Sequence, residues 1–115
     1  MRLAVVGSRS FSNQSRAFHI LDRFAARFAV DLIVSGGARG ADTLAASWAN
    51  ARRVPTRVHL PDWSRHGRHA GFLRNQLIVA GADALIAFWD GHSLGTAHSI
   101  RLARERNIPV YVIKG

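Results

Sequence analysis

The sequence contains no cysteine and only three prolines in 115 residues. Without cysteine it cannot form a disulfide scaffold, a thiol nucleophile or a Cys-ligated zinc site. The longest apolar stretch is interrupted by Asp83, so no run approaches the ~18 residues that a membrane-spanning helix needs. With so few prolines, and no repeat or low-complexity tract, nothing in the sequence resembles a linker. These absences predict a single cytoplasmic domain over residues 1–115, without a membrane partner.

Acidic residues and lysine are also scarce, which leaves a strongly basic chain. Seven Asp and Glu stand against sixteen Lys and Arg, of which only Lys114 is a lysine, and the formal net charge is +9. Hydrophobic residues make up 48% of the chain, which is enough for a core, so the charge does not indicate disorder. Arginine binds phosphate through a planar, bidentate guanidinium. The charge therefore indicates an anionic partner, whose identity it leaves open.

Short apolar runs of β type alternate with helical patterns along the whole chain. The β-type runs cover residues 3–6, 32–34, 57–60, 84–89 and 110–113, and the helical patterns cover residues 17–28, 41–48, 72–79 and 97–103. In the first helical pattern, apolar residues recur at i, i+3, i+4 and i+7, on one helix face. Strands that alternate with helices imply a parallel sheet with right-handed crossovers.

The composition of the five β-type runs predicts their order in the sheet. The first, second and fourth runs are apolar on both faces, as strands covered by helices on both sides should be. The third run alternates polar and apolar residues, and the fifth contains Tyr111, so both are expected at the edges. This predicts a Rossmann-like, three-layer α/β/α fold with a five-stranded parallel sheet of order 3-2-1-4-5. In such a fold, ligands bind beyond the carboxyl ends of the strands, near the switch point between strands one and four.

The connections after three predicted strands are rich in glycine, hydroxyl and charged side chains. These candidate ligand-binding residues are Gly7, Ser8 and Arg9 after the first strand, Ser35, Gly36, Gly37, Arg39, Gly40 and Asp42 after the second, and Asp90, Gly91, Ser93, Gly95 and Thr96 after the fourth. Because the carboxyl ends of parallel strands meet at one edge of the sheet, the three connections should lie close together.

The second connection carries the strongest motif. Gly36, Gly37 and Gly40 lead directly into the helical pattern that begins at Ala41. Free backbone N–H groups and the positive end of the helix dipole would bind a phosphate there. The pattern is neither a P-loop nor G-x-G-x-x-G, and a tight turn alone would explain one or two of the glycines. We therefore predict a phosphate-binding loop at this position.

Four of the candidate residues allow two interpretations each. Asp42 would cap the loop backbone or, alternatively, hold a ribose hydroxyl or Mg²⁺. Arg9 would reach across the site to an anion or remain a solvated surface residue. Thr96 would act as a helix N-cap or direct the neighbouring N–H groups at a phosphate, and Asp90 would bind a ribose hydroxyl or shape its own turn.

Tryptophan and histidine side chains give weaker signals. Trp48 lies on the apolar face of its helical pattern and is expected in the core. Trp63 and Trp89 stand at strand ends, where they would stack on a base or close the core. His66 and His69 are spaced i, i+3, but the arginines around them repel a cation. We therefore expect a solvated basic loop at these histidines and predict no metal site.

Five stretches together carry a family resemblance. They are VVGSRSF (residues 5–11), IVSGGARGADTLAASWA (33–49), PDW (61–63), AGFLRNQLI (70–78) and ALIAFWDGHSLGTAHSI (84–100), and they cover nearly the whole chain. In these stretches the sequence resembles the SLOG superfamily, a Rossmann-like group that includes DNA-processing proteins and LOG-type nucleotide hydrolases. It is most similar to the small stand-alone YspA-like branch.

The resemblance implies a fold that holds a nucleotide or a nucleotide-derived ligand. It implies phosphate contacts at the second connection and at Gly95 and Thr96. Several relatives sense ADP-ribose-like signals and relatives often form homo-oligomers, so a dimer or larger assembly is expected. LOG-type hydrolases carry a Gly-Gly-x-Gly-Thr-x-x-Glu segment whose glutamate assists glycosidic cleavage, but here Ser99 stands at that position. Because serine cannot act as a general acid or base at neutral pH, hydrolysis by that route is not expected.

Three functions are consistent with these observations. The leading hypothesis is a non-catalytic domain that binds or senses an adenine nucleotide or an ADP-ribose-like ligand, which Mg²⁺ could accompany. The alternative is a nucleic-acid-binding protein of the DNA-processing type, in which arginines would each neutralise a backbone phosphate; candidates are Arg65, Arg68, Arg74, Arg101 and Arg104. A nucleotide N-glycosidase is the second alternative, for which Asp42 and Asp90 remain as possible acids.

Overall fold

The computed structural model describes residues 1–114 and has a parallel sheet covered by helices on both faces. Its strands are β1 (Arg2–Gly7), β2 (Leu32–Ser35), β3 (Thr56–Val58), β4 (Ala84–Trp89) and β5 (Val110–Lys114). They lie in the order β3-β2-β1-β4-β5, and every neighbouring pair is parallel. This confirms the predicted Rossmann-like fold and its strand order.

The helices divide between the two faces of the sheet. They are α1 (Gln14–Arg27), α2 (Ala41–Arg52), α3 (Trp63–His66), α4 (Ala70–Ala80) and α5 (Leu94–Glu105). Leu3 and Val5 of β1 pack against α1 and α2, whereas Ala4 and Val6 pack against α4 and α5. The central strands are apolar on both faces because both faces are covered. Within residues 1–114, none of these helices has the length and apolar character that crossing a bilayer requires.

Two helices differ from the sequence prediction. Residues 63–69, expected as a basic loop, form α3 and a 3-10 turn, because the Asp62 side chain accepts from the Arg65 N–H (3.2 Å) and caps α3. A helix this short has no apolar period to reveal it. Helix α5 begins at Leu94, ahead of the apolar pattern of residues 97–103, because its first turn contributes no side chain to the apolar cores.

Trp48 occupies the core between α1 and α2, as predicted. Its side chain is 1% exposed, and its indole Nε1 donates to Asp22 Oδ1 at 2.8 Å. Asp22 also forms an ion pair with Arg52 at the surface (2.8 Å). The buried indole therefore has a partner for its one polar atom, which removes the cost of burying an unpaired donor.

The switch point of the sheet lies at the ends of β1 and β4. β1 pairs with β2 on one side and with β4 on the other, and Gly7 stands opposite Phe88. A Cβ atom at Gly7 would lie 2.6 Å from the Phe88 carbonyl oxygen and 2.5 Å from the Ala41 Cβ, so only glycine allows α2 to approach here. The crossovers leave β1 and β4 toward opposite faces, and a crevice opens between them.

Candidate anion-binding site

A cavity of about 250 Å³ lies in this crevice. It is lined by Val6, Gly7, Arg9, Ala38, Asp42, Arg74, Asn75, Ile78, Ser93, Gly95, Thr96 and Ser99. Pockets that enclose drug-sized ligands usually measure ~300–1,000 Å³. The cavity is therefore large enough for a phosphate and part of a sugar, while the rest of a larger ligand would lie outside it.

The cavity brings together some of the predicted site residues and leaves others out. Those that line it are Gly7, Arg9, Asp42, Ser93, Gly95 and Thr96. Those outside its lining are Ser8, Ser35, Gly36, Gly37, Arg39, Gly40, Asp90 and Gly91. The second connection thus contributes less to the cavity than its three glycines suggested, and the start of α5 contributes more.

The second connection is folded around the carboxylate of Asp42. This side chain is 6% exposed, and its Oδ2 accepts from the backbone N–H groups of Gly36 (2.9 Å) and Ala38 (3.3 Å). The capping role predicted for Asp42 is therefore confirmed. It also means that two N–H groups expected to face a phosphate are already bonded within the loop.

Two glycines of this connection have positive φ angles and face the protein rather than the cavity. Gly40 has φ 83°, and a Cβ atom there would lie 2.8 Å from the Arg9 carbonyl oxygen. Gly37 has φ 71°, and its Cβ would lie 2.7 Å from Leu60 Cδ2. Both positions combine a left-handed backbone with a close contact, which is what only glycine tolerates. Their contacts serve the turn and its packing, and a ligand role for them stays a prediction.

The first turn of α5 forms an open end of the cavity. The first N–H groups of a helix have no partner within it. Among the described residues no side chain caps this 12-residue helix, and its first turn carries no acidic residue. Apart from the neighbouring residues and the backbone of the helix itself, a Cβ atom at Gly95 would meet no atom within 4 Å, so the space beside this residue is open. Unlike α2, α5 has no acidic residue in its first turn, although the Asp90 carboxylate just before the helix accepts from the Ser93 N–H and offsets part of the positive end of the dipole.

Ser8 and Asp90 hold the adjoining connections in place. The Asp90 backbone N–H donates to Ser8 Oγ (3.1 Å), which ties the connection after β1 to the one after β4. Asp90 Oδ1 accepts from the N–H groups of His92 (2.8 Å) and Ser93 (2.9 Å), and these bonds lower the pKa of its carboxyl. Of the two interpretations for Asp90, these contacts match the one in which it shapes its own turn.

Arg74 supplies a positive charge from α4. Its Nη1 donates to the Gly36 carbonyl (2.8 Å) and its Nε donates to Asn75 Oδ1 (3.0 Å), so the half-buried guanidinium is fixed against the second connection. Burial lowers the pKa of Arg74, but an arginine stays a cation at neutral pH. The remaining guanidinium donors are free to face an anion in the cavity. Arg9 adds a second, exposed positive charge at the rim.

Asn75 connects α4 to the open end of α5. It is buried, and its Nδ2 lies 3.3 Å from the Gly95 carbonyl oxygen and 3.2 Å from His98 Nδ1. Because Nδ2 can only donate, His98 Nδ1 must be the acceptor here. Sequence reasoning named Arg74 only as a possible contact to a nucleic-acid backbone, not among the residues of the predicted site, and it did not name Asn75. The available signal was a charged and an amide side chain in succession within the otherwise apolar pattern of residues 70–78.

Comparison with known proteins identifies the family. The model of the YAcAr family, described as the YspA, cpYpsA-related SLOG family, matches residues 1–66. The chain belongs to this SLOG family. The SLOG chain is also 40% identical over 116 residues to the Gene 61 protein of Mycobacterium phage D29, an alignment that covers 95% of this chain and 93% of that protein.

Two solved structures of DNA processing protein A resemble the SLOG chain in fold. The Helicobacter pylori protein, known for a unique single-stranded DNA binding mode, matches with a TM-score of 0.76 at 24% identity, over 97% of this chain and 64% of that one. The Streptococcus pneumoniae protein matches with a TM-score of 0.80 at 21% identity, over 99% of this chain and 50% of that one. The SLOG chain thus spans between half and two thirds of their length.

The side chains that line the SLOG cavity can bind an anion. Asp42 is the one carboxylate among the described residues that line it, whereas glycoside hydrolysis ordinarily uses two. Ser99 is buried and its Oγ donates to the Gly95 carbonyl (3.3 Å). Within residues 1–114 there is no cluster of three His, Asp or Glu side chains that could hold a metal ion. The residues present can bind and orient a phosphate.

Burial raises the pKa of the Asp42 carboxyl. The two N–H groups that it accepts, and the positive charges of Arg74 and Arg9, offset part of this shift. The cavity therefore holds two guanidinium groups and one destabilised carboxylate. An anion that enters it is attracted by the arginines and the α5 terminus and is repelled by Asp42.

Proposed function

We propose that this SLOG-family protein binds single-stranded nucleic acid and holds one backbone phosphate in the cavity between Arg9, Arg74 and the first turn of α5. The observation that carries the proposal is the basic cavity itself, whose volume of about 250 Å³ suits one phosphate and part of its sugar. A strand could leave one phosphate in the cavity and extend over the surface on either side. Residues 1–115 would act as one phosphate-binding domain.

The charge of the surrounding surface supports a polymeric ligand. The net charge of +9 is far larger than one or two phosphates require. Arg39 in the second connection, Arg65 in α3 and Arg68 in the 3-10 turn are all exposed, and each could neutralise a further phosphate. The likeness in fold to the Helicobacter pylori protein, which binds single-stranded DNA, points in the same direction.

A free nucleotide or ADP-ribose-like ligand is the second candidate. Asp42 favours it, because Oδ2 makes the two loop hydrogen bonds and Oδ1 remains available to accept from a ribose hydroxyl. Its negative charge, however, disfavours the second phosphate that such a ligand would bring into so small a cavity. The homo-oligomer implied by the family resemblance stays a prediction under either candidate.

The salt dependence of binding distinguishes the two candidates. For an oligothymidylate of roughly 16 nucleotides we expect the affinity to fall about tenfold to a hundredfold between ~50 and ~200 mM salt. The reason is that each neutralised phosphate of a single strand adds about −0.7 to the slope of the logarithm of the binding constant against the logarithm of the salt concentration. For AMP, a single phosphate predicts a loss of only about threefold. Fluorescence anisotropy with competition by AMP and ADP-ribose measures both. Tight, saturable binding of a mononucleotide that displaces the oligonucleotide at equal concentration would support the second candidate instead.

A further inference from the structure

Trp63 is an exposed aromatic side chain beside the proposed site. Of the three tryptophans, Trp48 is buried and Trp89 is half-buried, with its Nε1 donating to the Ser93 carbonyl at 3.0 Å. Trp63 is 54% exposed. Burying an indole stabilises a protein or a complex more than burying almost any other side chain. An indole with about half of its surface exposed next to a binding site is therefore available to contact a ligand.

The position of Trp63 is fixed by the short helix that it begins. Asp62 caps α3 by accepting from the Arg65 N–H (3.2 Å), and it also accepts from the Ser64 hydroxyl (2.8 Å). On its other side the indole lies against the start of α4, because a Cβ atom at Gly71 would be 3.6 Å from Trp63 Cη2. One edge of the ring is thus supported while more than half of its surface faces solvent.

Helix geometry places this supported ring at the end of the cavity wall. Gly71, Arg74, Asn75 and Ile78 are spaced i, i+3, i+4 and i+7, so they share one face of α4. The last three line the cavity, and Gly71 supports the indole of Trp63. Three residues, or ~4.5 Å along the helix axis, therefore separate the level of the indole contact from that of Arg74.

The surface around Trp63 is strongly basic. Arg65, His66, Arg68 and His69 follow it in the chain, and all four are exposed. An aromatic ring within a positively charged surface is the arrangement that binds single strands with little sequence preference, since every base has a π-face and every nucleotide a phosphate.

We propose that Trp63 is a stacking platform for a nucleobase adjacent to the phosphate held in the cavity. This inference rests on the proposed function and adds to it the part of the ligand that the cavity is too small to enclose. Stacking on the indole face uses no hydrogen bond to a base edge, so the site would accept any of the four bases. The sugar–phosphate backbone would run from the cavity along the end of α4 toward α3.

Trp63→Ala, tested with two oligomers, separates base stacking from phosphate binding. The ligands are an oligothymidylate and an abasic deoxyribose-phosphate oligomer of the same length. We expect the substitution to weaken oligothymidylate binding by about tenfold to a hundredfold, the loss of one stacked base, and to leave binding of the abasic oligomer within about twofold. Trp63→Phe keeps an aromatic face and should retain most of the affinity. Tyr111→Ala, which removes an exposed aromatic from β5 at the edge of the sheet, is the matched control and should change neither affinity.

Each alternative result has a defined meaning. Equal weakening for both oligomers would overturn stacking and assign Trp63 a structural role in the phosphate site. Wild-type affinity in Trp63→Ala, with binding still dependent on Arg74, would overturn stacking alone, whereas no binding of either oligomer by the wild-type protein would overturn the proposed function as well. Should Trp63→Ala fail to fold, the tryptophan fluorescence of the wild type can be compared with that of Trp63→Phe, and the difference is the emission of Trp63. We expect the oligothymidylate to quench this emission and the abasic oligomer to leave it unchanged. Equal quenching by the two oligomers, or none by either, would contradict the proposal.

Discussion

Replacing Arg74 with alanine should weaken the binding of single-stranded oligonucleotides by on the order of a hundredfold. Arg74 is the half-buried cation of the cavity, held there by its bonds to the Gly36 carbonyl (2.8 Å) and to Asn75 (3.0 Å). Removing one partner of a buried, hydrogen-bonded charge pair costs about 2–5 kcal/mol, and 1.4 kcal/mol corresponds to a factor of ten in affinity. Fluorescence anisotropy with a labelled oligothymidylate measures the loss.

Two further variants make the Arg74 result specific. Arg74→Lys keeps the charge but loses the planar fork, so its affinity should lie between those of the wild type and the alanine variant. Arg106→Ala removes the same charge from the opposite end of α5 and should remain close to the wild type. Because Arg74→Ala leaves the Gly36 carbonyl without its partner, thermal unfolding should accompany each titration. A folded Arg74→Ala protein with wild-type affinity would exclude the cavity as the binding site.

Asp42→Asn should have the opposite effect and strengthen binding by about tenfold. The amide oxygen of asparagine can still accept from the Gly36 and Ala38 N–H groups, so the second connection keeps its shape. The substitution removes the negative charge that Asp42 contributes to the cavity lining, while Arg9 and Arg74 still attract the phosphate. Asp42→Ala, by contrast, leaves both N–H groups unpaired and should destabilise the protein by about 1–3 kcal/mol for each buried donor.

The pH dependence of oligonucleotide binding should differ between the wild type and Asp42→Asn, because the pKa of Asp42 is raised. Protonation removes the negative charge, so the wild-type protein should bind the oligonucleotide more tightly as the pH falls through this pKa, which lies above the ordinary value of about 4. Asp42→Asn should lack this gain in affinity at low pH. Because both proteins contain the same histidines, the difference between their titration curves reports Asp42 alone. The stability of the fold should change with pH in the same direction as the affinity. A carboxyl with a raised native pKa contributes stability below its unfolded pKa, and this contribution is lost as the pH rises through the native pKa. Parallel titration curves for the two proteins would contradict this account.

The fold could be predicted because the sequence repeats one simple physical pattern. Runs such as residues 84–89 are apolar on both faces only when helices cover both sides, and the edge position of β3 follows from its alternating polar residues. Topology then placed Gly7, Arg9 and Thr96 near one another, since carboxyl ends of parallel strands share an edge.

The details of the site depend on contacts that a linear sequence does not display. The direction of the second connection is set by the N–H groups of Gly36 and Ala38, which donate to the Asp42 carboxylate and so point inward. The contribution of Arg74 depends on how α4 packs against α5, a relation fixed partly by Asn75. These are tertiary contacts between distant residues, and periodicity carries no information about them.

Backbone amide chemical shifts offer the most direct test of where the anion binds. Isotope-labelled protein would be titrated with an oligothymidylate, and with inorganic phosphate as the minimal ligand. The open first turn of α5 predicts the largest shifts at the N–H groups of Leu94, Gly95 and Thr96, with small shifts at Gly36 and Ala38, whose N–H groups Asp42 already binds. Largest shifts at Gly36 and Ala38, with the α5 amides unchanged, would contradict the account and return the phosphate to the glycine-rich connection.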